Sequence, residues 1–459
     1  MNLCGKTILV LGLGISGVST AKALNEMGAN VIINDKKTKD ELKDYICKLS
    51  DYNIKYALGY NDMSLEGIDM VVKSPGVPMD LNIIKKAVES GIEVITDIEL
   101  AYRITEIPFI AITGTNGKTT TTTLVGEIFK NAGFNVKVTG NIGVGILWEL
   151  VNNKDIDIFI IEASSFQLES TKYFKPKVAV ITNITPDHIN WHKDFKNYIN
   201  SKKKIFRNQT KEDFIVLNYD DDLLKSLEKE IDSKVIFFTQ KHKIKNGIYL
   251  NNNYIVYDYD NEFVKVMDYR DIKMPGMHNL ENSMAAIATA KAMGIKWETI
   301  IYTLKTFEGV EHRLEFVDDV NGISFYNDSK GTNPDASIKA IEALNKPITL
   351  IAGGYDKGSD FEDFINAFNG KVDNIILLGE TKEKIRKAAI KLGFNNIYIV
   401  KDMEEAVLKG YQISNSPHTV LLSPACASWD MYNSYEERGR HFKDIVRNLR
   451  RQGDDKEES

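Results

Sequence analysis

The sequence has no excess of basic charge: 58 lysines and arginines stand against 64 acidic residues in 459, a formal net charge of −6. Without a basic footprint there is no ground for a nucleic-acid partner, although an acidic surface still permits a locally basic phosphate site. Cysteine is scarce. Cys4, Cys47 and Cys426 are odd in number and far apart, which argues against a disulfide framework or a metal knuckle and fits a reducing compartment. No stretch approaches the ~20 apolar residues of a membrane span. The N-terminus runs into "TILVLGLG" without a basic leader or a cleavage site. The expectation is a cytoplasmic protein with no membrane insertion. Gly/Ser or polyproline linkers and internal repeats are also missing, so domain joins are read from where one series of elements ends and the next begins.

What is present is an alternation of short β-rich apolar runs and helical patterns, the mark of parallel sheets in an α/β architecture. "TILVL" (7–11), "NVIIN" (30–34), "MVVKS" (70–74) and "EVIT" (93–96) read as strands of a first series. A second begins at "PFIAIT" (108–113) and continues through "FIIEAS" (159–164), "VAVITNI" (178–184), "DFIVLN" (213–218) and "KVIFFT" (234–239). "GIYLNNNYIVYDYD" (247–260) reads as a hairpin around Asn-rich turn residues. The third series is "ISFYND" (323–328), "ITLIAGG" (348–354), "NIILLGE" (374–380), "IYIV" (397–400) and "TVLLSP" (419–424). The length suits several cores. Three domains are expected, 1–98, 99–307 and 308–459, with a frayed tail from about 453.

"LGLGISG" (11–17) is a G-x-G-x-x-G between a strand and a helix, with Asp35 ending the next strand. Glycines there let backbone N–H groups approach a pyrophosphate, and the acid accepts from a ribose or a base. The loop reads phosphate rather than nicotinamide, so it fits NAD or another nucleoside diphosphate. A glycine turn that merely packs strand on helix is the bland alternative.

"GTNGKTTTTT" (114–123) raises a sharper question. A Walker A loop has a distal glycine, and that position holds Ile112. Yet strand, glycine loop, Lys-Thr and helix occur in the right order. Gly114 and Gly117 free the backbone to wrap an anion, Lys118 reaches β- and γ-phosphates, and Thr119 offers a hydroxyl to Mg²⁺. Glu162, at the end of an apolar run, is an acid whose burial a cation would offset. Asp187 and His188 follow another strand, and "YINSKKKIF" (198–206) carries three successive lysines, a pattern usually found on a solvated face.

Taken together, these stretches resemble the Mur ligase family, ATP-dependent amino-acid ligases of peptidoglycan-precursor synthesis. "GTNGKTT" is similar to that family's compact phosphate loop, which lacks the distal glycine. The likeness extends through "EASSFQLE", "TNITPDHI", the His278–Asn282 segment, "HRLE" (312–315), "NDSKGTNPDA" (327–336) and "LSPACASWDMYNSYEERG" (422–439). It implies an N-terminal Rossmann-like UDP-binding domain, a central P-loop ATPase-like domain with a mostly parallel sheet, and a C-terminal Rossmann-like domain. "KSPGVP" (73–78), the "SPACAS…YEERG" ending and the lack of a "DNPR"-like motif point to the family's D-glutamate-adding chemistry. The substrates then implied are UDP-N-acetylmuramoyl-L-alanine and D-glutamate, joined at the expense of ATP by a monomeric enzyme.

Carried over by position, the resemblance assigns Ile15, Ser16, Asp35, Gly76, Asn141 and Ser164 to the UDP-substrate. It assigns Gly114, Thr115, Asn116, Gly117, Lys118, Thr119 and Thr120 to the ATP phosphates, and Asn279, Asn282, Arg313 and Asp328 to the rest of the nucleotide. Lys330, Thr332, Lys357, Ser428 and Tyr435 fall to D-glutamate. Two Mg²⁺ ions are implied on Thr119, Glu162, His188 and Lys202, the last carrying a carbamate. Lys118, His188 and Lys202 are the implied catalytic groups. A tyrosine stands at 435 where a phenylalanine is more familiar, and Lys36 and Lys37 replace a Thr-Arg pair. The rivals are an NAD-dependent oxidoreductase built on 11–35, a non-catalytic nucleotide-binding scaffold, and a neighbouring ligase with another acceptor.

Overall fold

The computed structural model describes residues 1–457 apart from Asn61, Pro275, Asn345 and Lys346. The chain folds into two compact units, one of Met1–Asp271 with Glu281–Thr306, the other of Ile272–Leu280 with Phe307–Ser459. Among the described residues no helix is long and apolar enough to cross a membrane.

The first unit carries two sheets. One is parallel, formed by β1 (Thr7–Leu11), β2 (Asn30–Asp35), β3 (Ile54–Leu58), β4 (Met70–Lys73) and β5 (Glu93–Ile95) in the order β3-β2-β1-β4-β5. Its inner strands are apolar on both faces because helices cover both sides. The strand order reverses between β1 and β4, so the turns after these two strands form the crevice where doubly wound sheets bind ligands. The join expected at residue 98 falls in the helix Asp97–Ile104.

The second sheet comprises β6 (Phe109–Thr113), β7 (Val136–Gly140), β8 (Ile158–Glu162), β9 (Val178–Ile181), β10 (Phe214–Asn218), β11 (Lys234–Thr239), β12 (Gly247–Asn251), β13 (Tyr254–Tyr259) and β14 (Glu262–Asp268). Its order is β14-β13-β12-β11-β10-β9-β6-β8-β7, parallel from β7 to β12 and antiparallel through the last two. The expected hairpin is present as β12–β13, with Asn252 at positive φ in its turn. β3, β7 and β14, and in the second unit the strand Glu315–Val320, are not among the strands that the sequence pattern predicts.

The second unit is built on β15 (Glu315–Val320), β16 (Ile323–Asn327), β17 (Ile348–Ala352), β18 (Val372–Leu377), β19 (Ile397–Ile399) and β20 (Thr419–Leu422), ordered β15-β16-β20-β17-β18-β19. All neighbours are parallel except the edge pair β15–β16. The last helix runs Tyr435–Glu457, through the segment expected to fray, and residues 458 and 459 lie outside the described residues.

Candidate functional site

Ile112 is the fourth of the five residues of β6, with no exposed surface. A glycine there would be a defect of the strand, not a gain for the loop. The loop proper begins at Gly114, at φ +149, where a Cβ would sit 1.9 Å from Thr182 Oγ1. Gly117, at φ +82, would drive a Cβ to 2.3 Å from Asn282 Oδ1 and directly precedes the helix Lys118–Asn131. Both positions therefore require glycine for backbone angle and for space. The loop is tied down by Asn116 N–H donating to Asn183 Oδ1 (2.9 Å) and by Thr182 Oγ1 donating to Asn116 O (2.6 Å). Thr119 and Thr120 are buried in the first helical turn. The loop thus presents a tied-down backbone at a helix N-terminus, a geometry suited to an anion.

Two lysines meet at this loop. Lys118 Nζ donates to the carbonyls of Gly114 (3.0 Å) and Thr115 (2.9 Å), and Lys202 Nζ donates to the same Gly114 carbonyl (2.7 Å). Lys202 is only 1% exposed, whereas Lys203 and Lys204 are partly exposed, so the triple lysine is not a uniformly solvated face. Burial and the neighbouring Lys118 hold the Lys202 ammonium well below its ordinary range, which favours the neutral, nucleophilic amine.

Glu162 ends β8 and is 2% exposed. Its Oε1 accepts from Asn141 Nδ2 (2.9 Å), while its Oε2 is buried with no protein partner among the described residues. A carboxylate oxygen left in that state is destabilising unless a cation meets it. The hard oxygen donors Glu162 and Thr119 fit Mg²⁺. His188 opens a short helix at φ 52, exposed, 3.5 Å from Asp187 Oδ2 and with its ring 4.9 Å from that of Phe166.

His192, one turn on, was not singled out from the sequence. It is 4% exposed, stacked on Phe166, with Nε2 2.9 Å from Ser165 Oγ and Nδ1 3.4 Å from Ser201 Oγ. Burial, then His188 and Lys202, lower its pKa to about 4, so it stays neutral and braces the helix that bears Lys202. Its importance depends on partners 9 and 27 residues away, which no local pattern encodes.

The first glycine loop is equally constrained. A Cβ on Gly17 would lie 2.1 Å from Gly12 O. Asp35 uses both carboxylate oxygens locally, accepting from Leu13 N–H (2.7 Å) and Lys37 N–H (2.9 Å), and so props the loop open. Ile15 is 76% exposed at the helix start, Ser16 is partly exposed beside it, and Gly76 has open space where a side chain would be. Ser164 serves a capping box with Gln167 at the next helix, an unforeseen structural duty for a predicted substrate contact.

Of the remaining predicted residues, all but Asn282 lie in the second unit. Lys330 Nζ lies 5.4 Å from the centre of the Tyr435 ring, and Lys357 Nζ lies 5.2 Å from that of Trp429. Thr332 N–H donates to Lys330 O (2.9 Å), and Ser428 is buried. Asp328 is 1% exposed and accepts from Leu314 N–H and Ser423 Oγ. Burial raises its pKa to about 6 against the pull of Arg313. Asn279 caps back on Gly276 O within this unit, whereas Asn282, beside Gly117, belongs to the first.

Arg438 was missed as an individual. Buried at 3%, it donates to Ser329 Oγ (2.9 Å), Ser329 O (2.7 Å), Cys426 O (3.2 Å) and Ala427 O (3.3 Å), joining the 327–332 loop to the 426–428 loop. Glu311, His312 and Glu315 are clustered closely enough to suggest a metal, but Lys443 already bonds both carboxylates at 2.7 Å. Asn327 Oδ1 accepts from Ser329 N–H, so its Nδ2 donates to His312 Nδ1 (2.8 Å) and places the imidazole proton on Nε2.

The profile described as "Mur ligase MurD-like, N-terminal domain" matches residues 6–96, "Mur ligase middle domain" matches 112–290, and "Mur ligase, glutamate ligase domain" matches 312–426. The chain is 50% identical over 454 residues to a UDP-N-acetylmuramoylalanine–D-glutamate ligase of Alkaliphilus oremlandii, covering 98% of this chain and 100% of that one. It is also 50% identical over 452 residues to the protein of that name in Clostridioides difficile, with the same coverage. Among solved structures, a UDP-N-acetylmuramate–alanine ligase of Thermotoga maritima superposes with a TM-score of 0.61 at 22% identity, covering 96% of this chain and 99% of that one. A MurF ligase from the same organism, in complex with ADP, gives 0.57 at 16% identity over 91% and 95%. These two likenesses concern the fold.

Proposed function

The chain belongs to the Mur ligase family, and on that premise we propose that it is a cytoplasmic ATP-dependent ligase joining D-glutamate to UDP-N-acetylmuramoyl-L-alanine in peptidoglycan-precursor synthesis. The observation that carries this reading is the half-identity along 98% of the chain to ligases named for that reaction. The geometry of the phosphate cradle supports its chemistry. An oxidoreductase reading would leave the cradle, Glu162 and the second unit without a task.

A carboxylate resists amine attack because an oxide is a poor leaving group. In the proposed reaction a carboxylate oxygen of the alanyl end attacks the γ-phosphorus of ATP, ADP departs, and an acyl phosphate forms. The D-glutamate nitrogen then attacks the acyl carbon, inorganic phosphate leaves, and the amine gives up a proton. The glycine loop wraps the phosphates, with Lys118 moving from the Gly114 and Thr115 carbonyls onto the β- and γ-oxygens. Thr119 and the unpaired Glu162 oxygen would hold one Mg²⁺, and His188 with a carbamate on Lys202 a second. Bound Mg²⁺ supplies positive charge to the phosphate oxygens as charge develops on them. The Lys202 amine, kept neutral by burial, adds to CO₂ and releases a proton, converting a repelling cation into an anionic ligand.

Ile15, Ser16, Asp35, Gly76, Asn141 and Ser164 would hold the UDP-substrate, and Asn279, Asn282, Arg313 and Asp328 the nucleotide beyond its phosphates. Lys330, Thr332, Lys357, Ser428 and Tyr435 would hold D-glutamate, and Arg438 ties the loop of Lys330 and Thr332 to that of Ser428. The test is ATP-dependent phosphate release with UDP-N-acetylmuramoyl-L-alanine, comparing D-glutamate with L-glutamate, L-alanine and diaminopimelate. Turnover restricted to D-glutamate supports the reading, and turnover with another amino acid in its place contradicts it.

A further inference from the structure

Lys73, the last residue of β4, is 1% exposed. An ammonium in such a place normally has a carboxylate partner. Among the described residues Lys73 makes no ion pair. Its Nζ instead donates to three carbonyls of a single turn, those of Ser74 (3.5 Å), Pro75 (3.3 Å) and Val77 (3.0 Å). The same turn is fastened to the first glycine loop from the other side. Ser74 N–H donates to Leu11 O (2.8 Å), Ser74 Oγ donates to Gly12 O (2.9 Å), and a Cβ on Gly12 would meet Val77 at 3.0 Å. Val77 N–H is taken by Ser74 O (3.0 Å), and Pro75 has no N–H to offer. The Gly76 N–H is thus left, among the described residues, without a protein acceptor, on an exposed residue with open space beside it.

We propose that Lys73 is the positioning residue of the UDP cradle: by drawing three carbonyls onto one cation it fixes the Ser74–Val77 turn against the first glycine loop and aims the free Gly76 N–H at the ligand. Carbonyls would otherwise repel one another at such close convergence, and no neutral side chain of this length supplies three donors. The inference rests on the reading of these two loops as the UDP-substrate site.

Lys73 also spans the seam with the central sheet's helices. Its Nζ lies 5.9 Å from the centre of the Trp191 ring, three residues from His188. The charged groups that face it are Glu169 and Asp97, which favour the ammonium, while burial outweighs them and lowers its pKa to about 8. The cation holding the turn is therefore lost in mildly alkaline solution. The neutral amine keeps two donors for three carbonyls.

The test is steady-state kinetics of the full-length enzyme from pH 7 to 9, with UDP-N-acetylmuramoyl-L-alanine varied, for wild type, Lys73→Met and Lys73→Arg. Losing charge-assisted hydrogen bonds predicts that Lys73→Met raises KM for the UDP-substrate about 10-fold or more at pH 7. Its kcat and its Kd for ADP should stay within about 2-fold of wild type, because the cation touches neither reacting group. Wild-type KM should rise about 5-fold or more between pH 7 and 9, while Lys73→Arg, whose guanidinium stays charged, stays flat. The substrates' own titrations are common to both proteins and cancel in that comparison. If Lys73→Met does not fold, Lys73→Gln, which likewise removes the charge, takes its place in the pH 7 comparison of KM. Parallel profiles for wild type and Lys73→Arg, or a KM of the uncharged variant equal to wild type, overturn the inference. Absence of wild-type turnover would overturn the functional reading, and this inference with it.

Discussion

Lys118 and Lys202 donate to one and the same oxygen, the Gly114 carbonyl, at 3.0 and 2.7 Å. Two ammonium groups sharing a single acceptor in a buried site repel each other, and the more buried of them yields its charge. Lys202, the more buried of the two, is thereby pushed toward the neutral amine.

Lys118→Ala should leave affinity for the UDP-substrate within about 2-fold while lowering ADP formation by a factor on the order of 10²–10³ or more, the usual cost of removing one electrostatic stabiliser. Calorimetric binding and coupled ADP detection check the two halves separately.

Lys202→Ala should be nearly inactive in plain buffer and regain part of its activity when formate or acetate is added, since a small carboxylate replaces the missing carbamate. In wild type, ¹³C-bicarbonate should give a carbamate resonance that disappears in the variant. Lack of both signals would remove the carbamate from the account.

Glu162→Gln keeps an acceptor for Asn141 but removes the negative charge whose second oxygen has no protein partner. The Mg²⁺ concentration for half-maximal activity should rise about 10-fold or more, because a neutral amide is a poor ligand for a hard cation. An unchanged Mg²⁺ requirement would exclude Glu162 from the ion's ligands.

Asp328 has a folded pKa of about 6 against an ordinary 3.8, raised by burial. Between these values the folded chain binds the extra proton, so this group's contribution to stability falls as pH rises through the window. The cost at pH 7 is on the order of 2–3 kcal/mol. The difference in Tm between Asp328→Asn and wild type should therefore shift in favour of the variant from pH 4 to pH 7. Calorimetric scans across that range check it, and a constant difference would contradict the shift.

Arg438→Lys loses the planar fork that joins Ser329 to Cys426 and Ala427. KM for D-glutamate should rise at least 10-fold, with KM for ATP little changed. Equal increases for both substrates would mean a general loss of fold.

Much of this arrangement was legible from local pattern. The strands before the two glycine loops, the acid ending β8 and the β12–β13 hairpin follow from apolar runs and turn residues that act within a few positions. The missed strands lack that signal. β15 reads "EFVDDV", charged because it lies at an edge, and β3, β7 and β14 are likewise edge strands with partly exposed positions. At the site, the glycines announce themselves because backbone angle is a local property. Lys73, His192 and Arg438 do not, since their value lies in partners that converge only in the fold. Arg438 reaches Ser329 across 109 residues. Among three consecutive lysines, residue type alone distinguishes none. Helix packing buries Lys202 and leaves its neighbours partly exposed.

The most direct test follows oxygen. With ¹⁸O in the alanyl carboxylate of the UDP-substrate, turnover with ATP and D-glutamate should deliver one labelled oxygen to each inorganic phosphate, as an acyl phosphate demands. Unlabelled phosphate, released at the same rate as product forms, would contradict phosphoryl transfer to that carboxylate.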